Sequence, residues 1–509
     1  MRFRIFVHVI AVGVLCTPML PSTSLAEPTD PVTVTSPPDN QGPPFVPGVR
    51  AVADLPREYV EEEFFISGTS TLYNYANNPP AGPTDIVPVE ENVPYKTRII
   101  VRRPANANKF NGTVVIEWWN STAGFDTAPV WDPSAEYFAE EGIVYVGVTN
   151  STTSLDFLVN GCRLLGVLPP SCGTRYGTLS LPENGLAFEM VSQIANLLRS
   201  DDPDNPLPAE YEVLQLLHAG ESQQAGSIVT YASAFHLDGV NDGYSIQSGI
   251  FARPINFGPR CGADGSPPFP NCTPHLVYPD SLVRTDLPVP VYQVVTQTDF
   301  EVLGFNVFGR QVDAPTFRYY EVAGAAHLTV HVGIEVVPEN GLFSGSPAIF
   351  LEDLCENELN TTADGPVFAS YVLNALWERM QEQVADGSPP PAGVVMDQMG
   401  GFLDRDAEGN VTGGVRLPSM EVPTATYVST NQPDPNLPPF LQPFADLACF
   451  LAGSVVPFDA ATLDSLYRNH GTYVSGVAQS VKALKDQGLL LQRDAIKIKT
   501  AASESDFGK

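Results

Sequence analysis

The sequence predicts an α/β protein whose central sheet is mostly parallel and is covered by helices on both faces. Between residues 110 and 330, short apolar segments rich in β-branched residues alternate with segments of helical periodicity, and this order implies parallel crossovers. Hydrophobic residues make up 43% of the chain and charged residues 17%, so enough apolar material is present to build a core. The 48 prolines favour long ordered loops over a helical bundle or a coiled coil.

The first elements form an N-terminal extension of the sheet. Residues 27–48 are rich in proline and poor in apolar anchors, which predicts an extended leader without a catalytic part. The segments Tyr59–Tyr75 and Tyr95–Arg103 alternate β-branched or aromatic residues with polar ones. This alternation predicts antiparallel strands at an edge of the sheet.

The central region supplies the parallel strands and their helices. Helices are predicted at Pro133–Glu141 and from Pro182 to Leu197, where the proline suits the first turn. In such sheets, reactive groups lie at the carboxyl ends of the strands. We assign residues 49–330 to this core. Buried strands are predicted at Thr113–Trp119, Ile143–Val148, Val213–Leu217, Val289–Val295 and Phe317–Val322.

Residues 331–509 have a different pattern. One clear helix, Val367–Val384, is followed by a Pro/Gly-rich stretch from Gly387 to Pro443 and by a helical end at Ala460–Leu490. We expect this region to be a C-terminal appendage packed on the core.

Length and charge exclude several classes of function. At 509 residues the chain is too long for one ordinary core and fits two or three lobes of roughly 100–200 residues. Lysine and arginine number 27 against 58 aspartates and glutamates, which gives a net charge of −31. Because so acidic a surface repels phosphate backbones and anionic headgroups, nucleic acids and bilayers are not expected partners.

Residues 1–26 have the pattern of a secretory signal peptide. Two arginines precede an apolar run from Ile5 to Cys16, and Ser24-Leu25-Ala26 places small residues at positions −3 and −1 of a cleavage site. The run is shorter than the roughly 20 residues that a membrane-spanning helix needs. We expect a secreted or periplasmic protein, cleaved near Ala26, with no membrane span and a net charge of −33 once the two arginines are removed. The bulky residue before Cys16 disfavours lipidation there.

The cysteines agree with export. Six remain after the signal peptide, and an even number in an exported protein indicates disulfide bonds, although six allow 15 connectivities. The two pairs that lie ten or eleven positions apart in Gly/Pro-rich loops close most easily, and the third pair follows by exclusion. No Cys-x-x-Cys spacing occurs, so a metal site is the weaker alternative and no cofactor is expected. The expected pairs are Cys162–Cys172, Cys261–Cys272 and Cys355–Cys449.

A serine stands where a buried strand turns into a helix. Gly220-Glu221-Ser222-Gln223-Gln224-Ala225-Gly226 resembles the nucleophile elbow of α/β-hydrolases, in which a tight turn lifts the hydroxyl above the sheet. The second glycine of the G-x-S-x-G pattern would stand at position 224, where this chain has glutamine. Ser222 is therefore the candidate nucleophile, and a helix-capping serine is the alternative.

A nucleophilic serine needs a base. His327 is the best candidate, because it follows the strand Phe317–Val322 and lies downstream of Ser222, as in the serine, acid, histidine order of that fold. His218, inside the strand that precedes Ser222, is expected to be a packed structural residue. His331 could join His327 as a metal ligand in a His-x-x-x-His pair. That spacing suits a helix, but the three residues between them are strand-like, and no glutamate follows His327 as zinc proteases of this type require.

The base needs an acid that orients it. The apolar strand Val289–Val295 ends in a polar turn that carries Asp299, at a position between Ser222 and His327. Asp299 is therefore the expected acid, and Glu301 is the alternative. A helix cap is the competing role for Asp299.

Two backbone N–H groups are expected to stabilise an oxyanion. One belongs to Gln223, directly after the nucleophile. The other is expected from Asn120, just past the strand Thr113–Trp119, with Trp119 as the alternative donor.

Taken together, these motifs resemble a family of secreted proteins described as α/β-hydrolase-domain proteins. The resemblance covers roughly residues 55–490 and rests on the Gly-x-Ser-Gln-x-Ala-Gly elbow, the strand that ends Thr298-Asp299, the segment Glu321–His327 and the motif Gly413–Pro418. In that family the elbow is commonly followed by glutamine and a delayed small residue. The resemblance implies an α/β-hydrolase fold and a serine hydrolase of carboxylic esters.

The leading hypothesis is therefore a secreted esterase with Ser222, His327 and Asp299 as its triad and with a small or polymeric ester as substrate. Two alternatives stay open at this point. One is a secreted binding protein of the same fold without turnover. The other is a peptidase or acyltransferase that uses the same site. The sequence does not indicate the oligomeric state.

Overall fold

The computed structural model describes residues 32–48, 50–77, 80–163, 172–256, 276–304, 307–328, 351–360, 369–439 and 441–506. The central sheet of this described part has nine strands. They are β1 (Thr33–Thr35), β2 (Tyr59–Tyr75), β3 (Ile86–Pro104), β4 (Thr113–Trp118), β5 (Val144–Val148), β6 (Gln215–Glu221), β7 (Gly243–Gln247), β8 (Val291–Thr296) and β9 (Phe317–Val322).

The sheet has the order β1-β2-β3-β5-β4-β6-β7-β8-β9. The pairs β1 with β2, β2 with β3 and β3 with β5 are antiparallel. All pairs from β5 through β9 are parallel, so the carboxyl ends of β4, β6, β8 and β9 meet at one edge. This topology confirms the prediction of a mostly parallel sheet with an antiparallel N-terminal extension.

Several strands differ from the sequence prediction. β1 lies in the segment predicted as an extended leader, and β6 continues to Glu221, four residues beyond the predicted Leu217. β3 begins at Ile86, earlier than the predicted Tyr95, because its first half pairs with the end of β2 while it stays largely exposed. An exposed strand shows no alternation of apolar and polar residues. β7 was not predicted, because the polar residues Ser245 and Gln247 interrupt its apolar pattern although the strand is buried between β6 and β8.

The helices cover both faces of the sheet. The helix predicted to start at Pro182 begins instead at Ala187, after a 3-10 turn at Asn184–Leu186, because Glu183 is still extended. The helices are α1 (Trp131–Glu141), α2 (Thr152–Val159), α3 (Ala187–Arg199), α4 (Gln223–Ala234), α5 (Gln297–Glu301), α6 (Ala369–Asp386), α7 (Pro418–Glu421), α8 (Gln442–Ala452), α9 (Ala460–Leu466), α10 (His470–Asp486) and α11 (Gln492–Glu504).

Each face of the sheet has its own apolar core. α2, α3 and α4 pack in one cluster with side chains of β2 to β9. On the other face, α1 packs with α6, α10 and α11 in a second cluster that also contains side chains of β4, β5, β8 and β9. The C-terminal region therefore contributes a large share of one core layer.

The C-terminal region also continues the sheet beyond β9. The N–H of Glu321 donates to the carbonyl of Val394 at 2.9 Å, and the N–H of Val415 donates to the carbonyl of Glu321 at 2.7 Å. Two small antiparallel pairs lie further along the chain. They are β10 (Gln398–Met399) with β11 (Phe402–Leu403), and β12 (Ala425–Val428) with β13 (Ser454–Pro457).

The structure contains two of the expected disulfides, Cys162–Cys172 and Cys355–Cys449. The second ties α8 to the loop at residues 351–360. Cys261, Cys272 and the signal peptide at residues 1–26 lie outside the described residues. Within the described part of the chain, none of the helices is both long enough and apolar enough to span a membrane.

Candidate active site

Ser222 occupies a strained turn between β6 and α4. Its φ is 53° and its ψ is −114°, a conformation that costs about 1–3 kcal/mol for a residue with a side chain. The Ser222 side chain makes no helix-capping hydrogen bond. The turn therefore presents the hydroxyl for another contact.

Small residues around the turn make this conformation possible. A Cβ at Gly220 would lie 2.6 Å from the carbonyl oxygen of Gln224, and a Cβ at Gly226 would lie 2.9 Å from the carbonyl oxygen of Phe251. Ala225 fills the space that a Cβ at Gly249 would occupy. The close backbone approaches thus fall at positions 220, 225 and 226, which explains why glutamine is accepted at position 224.

The structure brings Ser222, His327 and Asp299 into one chain of hydrogen bonds. Nε2 of His327 lies 2.9 Å from Oγ of Ser222, and Nδ1 lies 2.5 Å from Oδ1 of Asp299. Asp299 is fully buried and His327 is 6% exposed. The three side chains come from the ends of β6, β8 and β9, which the parallel topology places side by side.

Asp299 serves two partners at once. Its Oδ2 accepts from the N–H of Thr296 at 2.6 Å, and its own N–H donates to Oγ1 of Thr296 at 3.2 Å, which together form a capping box for α5. Its other oxygen faces His327. The capping role is therefore present together with the contact to His327, and it fixes the orientation of the carboxylate.

The alternative candidates lie elsewhere. Glu301 forms an ion pair with Arg405 at 2.5 Å and accepts from Nε2 of Gln297 at 3.0 Å. His218 is buried against Asn241, whose Oδ1 lies 2.8 Å from its Nε2, and burial lowers the pKa of His218 to about 3. His331 lies outside the described residues.

Glu221 is a site residue that the sequence interpretation did not include. Its Oε1 lies 3.3 Å from Nε2 of His327, and its Oε2 accepts from Nδ2 of Asn120 at 3.2 Å. Burial raises the pKa of Glu221 to about 7, while the charge of His327 acts in the opposite direction. Burial also disfavours the His327 imidazolium, yet the charges of Glu221 and Asp299 raise the pKa of His327 to about 9. The sequence signal that could have identified Glu221 is an acidic residue at the end of the apolar run that precedes Ser222.

The loop after β4 contacts the elbow, but its expected oxyanion donors are engaged elsewhere. The N–H of Asn120 donates to the carbonyl of Thr127 at 3.2 Å, and the N–H of Trp119 donates to the carbonyl of Val148 at 3.3 Å. Both N–H groups that were expected as oxyanion donors in this loop are therefore bonded within the protein. Oγ of Ser121 donates to Oε1 of Gln223 at 2.8 Å, which joins the loop to the first residue of α4.

A buried glutamate at the end of β4 fixes the rest of this loop. Glu117 accepts from the N–H groups of Val130 and Trp131, each at 2.9 Å, and from the hydroxyl of Tyr145 at 2.7 Å. Burial raises the pKa of Glu117 to about 8, although the three hydrogen bonds act in the opposite direction. Glu117 thereby anchors the start of α1 to the sheet, next to the site.

A cavity of about 120 Å³ opens beside Ser222 and His327. Its lining is mainly apolar, and the carboxyl-bearing residues Asp126, Asp132 and Glu221 also border it. One wall consists of residues 45–48, which we call the N-terminal strap. α8 contributes another part of the lining. The apolar lining includes Phe45, Val46, Phe125, Leu328, Leu351, Phe444, Leu447 and Leu451.

The N-terminal strap is fastened by buried polar side chains. Nη1 of Arg98 donates to the carbonyl of Phe45 at 2.5 Å, and Nη2 of Arg102 donates to the carbonyl of Pro47 at 2.8 Å. The N–H of Phe45 donates to the hydroxyl of Tyr176 at 2.8 Å. The segment predicted as a leader without a catalytic part therefore borders the candidate pocket.

The comparison with solved structures gives matches at low sequence identity. The esterase Pf2001 of Pyrococcus furiosus is 14% identical, and the match covers 55% of this chain and 88% of that chain with a TM-score of 0.27. A fungal esterase of Rhizomucor miehei is 16% identical, with 56% and 80% covered and a TM-score of 0.28. An alpha-beta serine hydrolase homologue of Coxiella burnetii is 13% identical, with 46% and 84% covered and a TM-score of 0.25.

The family is established by a comparison that spans most of the sequence. None of the curated proteins matches the chain. A family model described as an alpha/beta hydrolase domain matches residues 29–500, which include every strand of the central sheet and the elbow at Ser222. The protein therefore belongs to the alpha/beta-hydrolase-domain family.

Proposed function

We propose that the protein is an exported serine hydrolase that cleaves carboxylic esters through an acyl-enzyme on Ser222. The observation that carries this proposal is the hydrogen-bonded chain from Oγ of Ser222 through His327 to Asp299, at 2.9 Å and 2.5 Å. A serine hydroxyl is a weak nucleophile unless an oriented base removes its proton. The buried capping box supports the same role, because it holds the Asp299 carboxylate toward His327.

In the proposed mechanism, Oγ of Ser222 attacks the ester carbonyl while its proton moves to Nε2 of His327. Asp299 stabilises the imidazolium that forms. Collapse of the tetrahedral intermediate breaks the bond to the alcohol, which leaves with the proton from His327. Water, deprotonated by His327, then hydrolyses the acyl-enzyme and regenerates Ser222.

We assign one oxyanion donor to the N–H of Gln223, in the first turn of α4, where N–H groups have no partner within the helix. The N–H groups of Asn120 and Trp119 already bond to backbone carbonyls, so we assign the second donor to the N–H of Ser121. The hydrogen bond between the side chains of Ser121 and Gln223 supports this assignment, because it holds the two backbone segments together.

The lining of the cavity favours an uncharged ester with an apolar group. Among the described residues around this cavity there is no lysine or arginine that would hold a substrate carboxylate or phosphate. Of the three acidic residues that line it, Asp126 is paired with the buried Arg98, and Asp132 and Glu221 would repel such a group. Export is supported by the signal-peptide pattern at residues 1–26 and by the disulfides, which persist in oxidising compartments.

A fluorophosphonate probe tests the proposal directly, because it labels only an activated serine. The wild-type protein is expected to be labelled, and Ser222→Ala is expected to lose the label. Ser227→Ala, which removes another buried hydroxyl one turn further along α4, is the matched control and should label normally. An unlabelled wild-type protein would instead support a binding protein without turnover. A panel of esters, peptides and alcohol acceptors then separates an esterase from a peptidase or an acyltransferase.

A further inference from the structure

The carboxylate of Glu221 has an unusual position for a group outside the triad. It directly precedes the proposed nucleophile, and the residue is only 6% exposed. Oε2 is held by Nδ2 of Asn120, while Oε1 makes no hydrogen bond with any described residue and lies 3.3 Å from Nε2 of His327. Burial of a charged oxygen without a hydrogen bond or a cation beside it costs free energy of folding. The group that compensates the charge at Oε1 therefore bears on function.

His327 is the only basic side chain among the described residues that line the two cavities beside Glu221. The acidic groups nearby are Asp299 on α5, Asp126 in the loop between β4 and α1, and Asp132 in the first turn of α1. Of these, Asp126 is paired with the buried Arg98 at 3.0 Å. The described residues that α6 and β7 contribute to these cavities are uncharged. A protonated His327 would therefore lie between two carboxylates, with Glu221 near Nε2 and Asp299 at Nδ1.

We propose that Glu221 is a positioning residue and the second carboxylate partner of His327. Its negative charge keeps a proton on Nε2 of His327, so that the hydrolysis is fastest at alkaline pH. This inference rests on the proposed function, because it concerns the base of that reaction. In the resting ion pair, the proton on Nε2 prevents His327 from accepting the proton of Ser222. Loss of that proton to solvent frees the base, and the reaction then proceeds with Glu221 stabilising the imidazolium that forms again.

The sign of the pH dependence follows from the titration of His327. Its pKa is raised to about 9, because the attraction of two carboxylates outweighs burial, which lowers it. Below this pH the imidazolium predominates and the base is blocked. Above it the neutral imidazole is available, so activity should rise with pH through the alkaline range. Replacing Glu221 by an uncharged isostere removes one of the two attractions and should move this rise to lower pH.

The test is the pH dependence of fluorophosphonate labelling and of ester turnover, measured from pH 5 to pH 10 on wild type and Glu221→Gln. The midpoint of the acidic limb of kcat/KM is expected to lie about one to three pH units lower in the variant than in wild type. Glutamine removes the charge and leaves an acceptor for Asn120. Glu382→Gln, which removes a surface glutamate paired with Arg379 on α6, is the matched control and should leave the limb unchanged. An acidic limb that is identical in Glu221→Gln and wild type overturns the inference.

Two further measurements keep the inference testable if the variant misfolds or the enzyme is inactive. In the wild type alone, an acidic limb at or below about pH 6.5, the ordinary range of histidine, also overturns it. If wild type is not labelled at any pH, the proposed function fails. The contact can then be tested separately, by NMR titration of the His327 ring in wild type and Glu221→Gln. A lower pKa in the variant supports the contact, and an unchanged pKa refutes it.

Discussion

The two sides of the candidate site are built in different ways. The side that carries Ser222, Asp299 and His327 consists of turns that directly follow β6, β8 and β9, so each side chain is positioned by its own strand. The rest of the pocket wall includes the N-terminal strap and α8, which are far apart in the sequence. Long-range ties hold this wall in place, namely the buried arginines that bind the strap and the Cys355–Cys449 disulfide. We infer that the catalytic side decides whether the reaction occurs and the wall decides which substrate binds.

The largest expected effect comes from removing the nucleophile. Ser222→Ala should reduce kcat by up to about 10⁶, as for removal of the nucleophile in a protease triad. The fold should be retained, because the Ser222 hydroxyl bonds to His327 and has no capping role. Ester turnover and circular dichroism check both parts. Turnover that is retained with unchanged kinetics would rule out the serine mechanism.

Removal of the base should lower kcat by a similar factor, and only one histidine should have this effect. His327→Gln is expected to stop the reaction, because no other described histidine contacts Ser222. His331→Gln, a matched change four residues later, should leave turnover close to wild type. Equal losses in both variants would show that this segment matters for structure and not for proton transfer.

The acid should contribute less than the nucleophile. Asp299→Asn preserves shape but removes the charge that stabilises the His327 imidazolium, so we expect a loss of up to about 10⁴ in kcat by analogy with the serine-protease triad. Glu301→Gln should cost about tenfold or less, because the Glu301 carboxylate binds Arg405 and Gln297. The reverse ranking of the two variants would make Glu301 the acid.

The smallest expected effect concerns the wall. Phe45→Ala removes an aromatic ring that lines the cavity and packs edge-on against Phe125 and Phe157. We expect KM for an ester with an apolar group to rise roughly tenfold with little change in kcat. Phe402→Ala, which removes an exposed ring on β11, should change neither. A loss of kcat in Phe45→Ala as large as that in Asp299→Asn would mean that the two sides do not act separately.

Much of the catalytic side could be predicted from sequence because each part has a local signature. A buried parallel strand is a short apolar run, so β4, β5, β8 and β9 were located within two residues at either end. The residues after such strands meet at one edge, which selected Ser222, Asp299 and His327 as candidates before any distance was known. The cysteine spacing similarly pointed to Cys162–Cys172.

Other features could not be predicted from the sequence, because they depend on partners distant along the chain. The proline-rich segment borders the pocket because Arg98 and Arg102 bind its carbonyls, and no local pattern indicates such contacts. The N–H of Asn120 is bonded to Thr127 through the path of a loop, which residue type does not specify. The contact of Glu221 with His327 arises where β6 and β9 end at the same edge of the sheet. Local sequence patterns thus predict most of the strands and the candidate chemistry, whereas long-range packing sets the pocket wall and the electrostatic surroundings of the base.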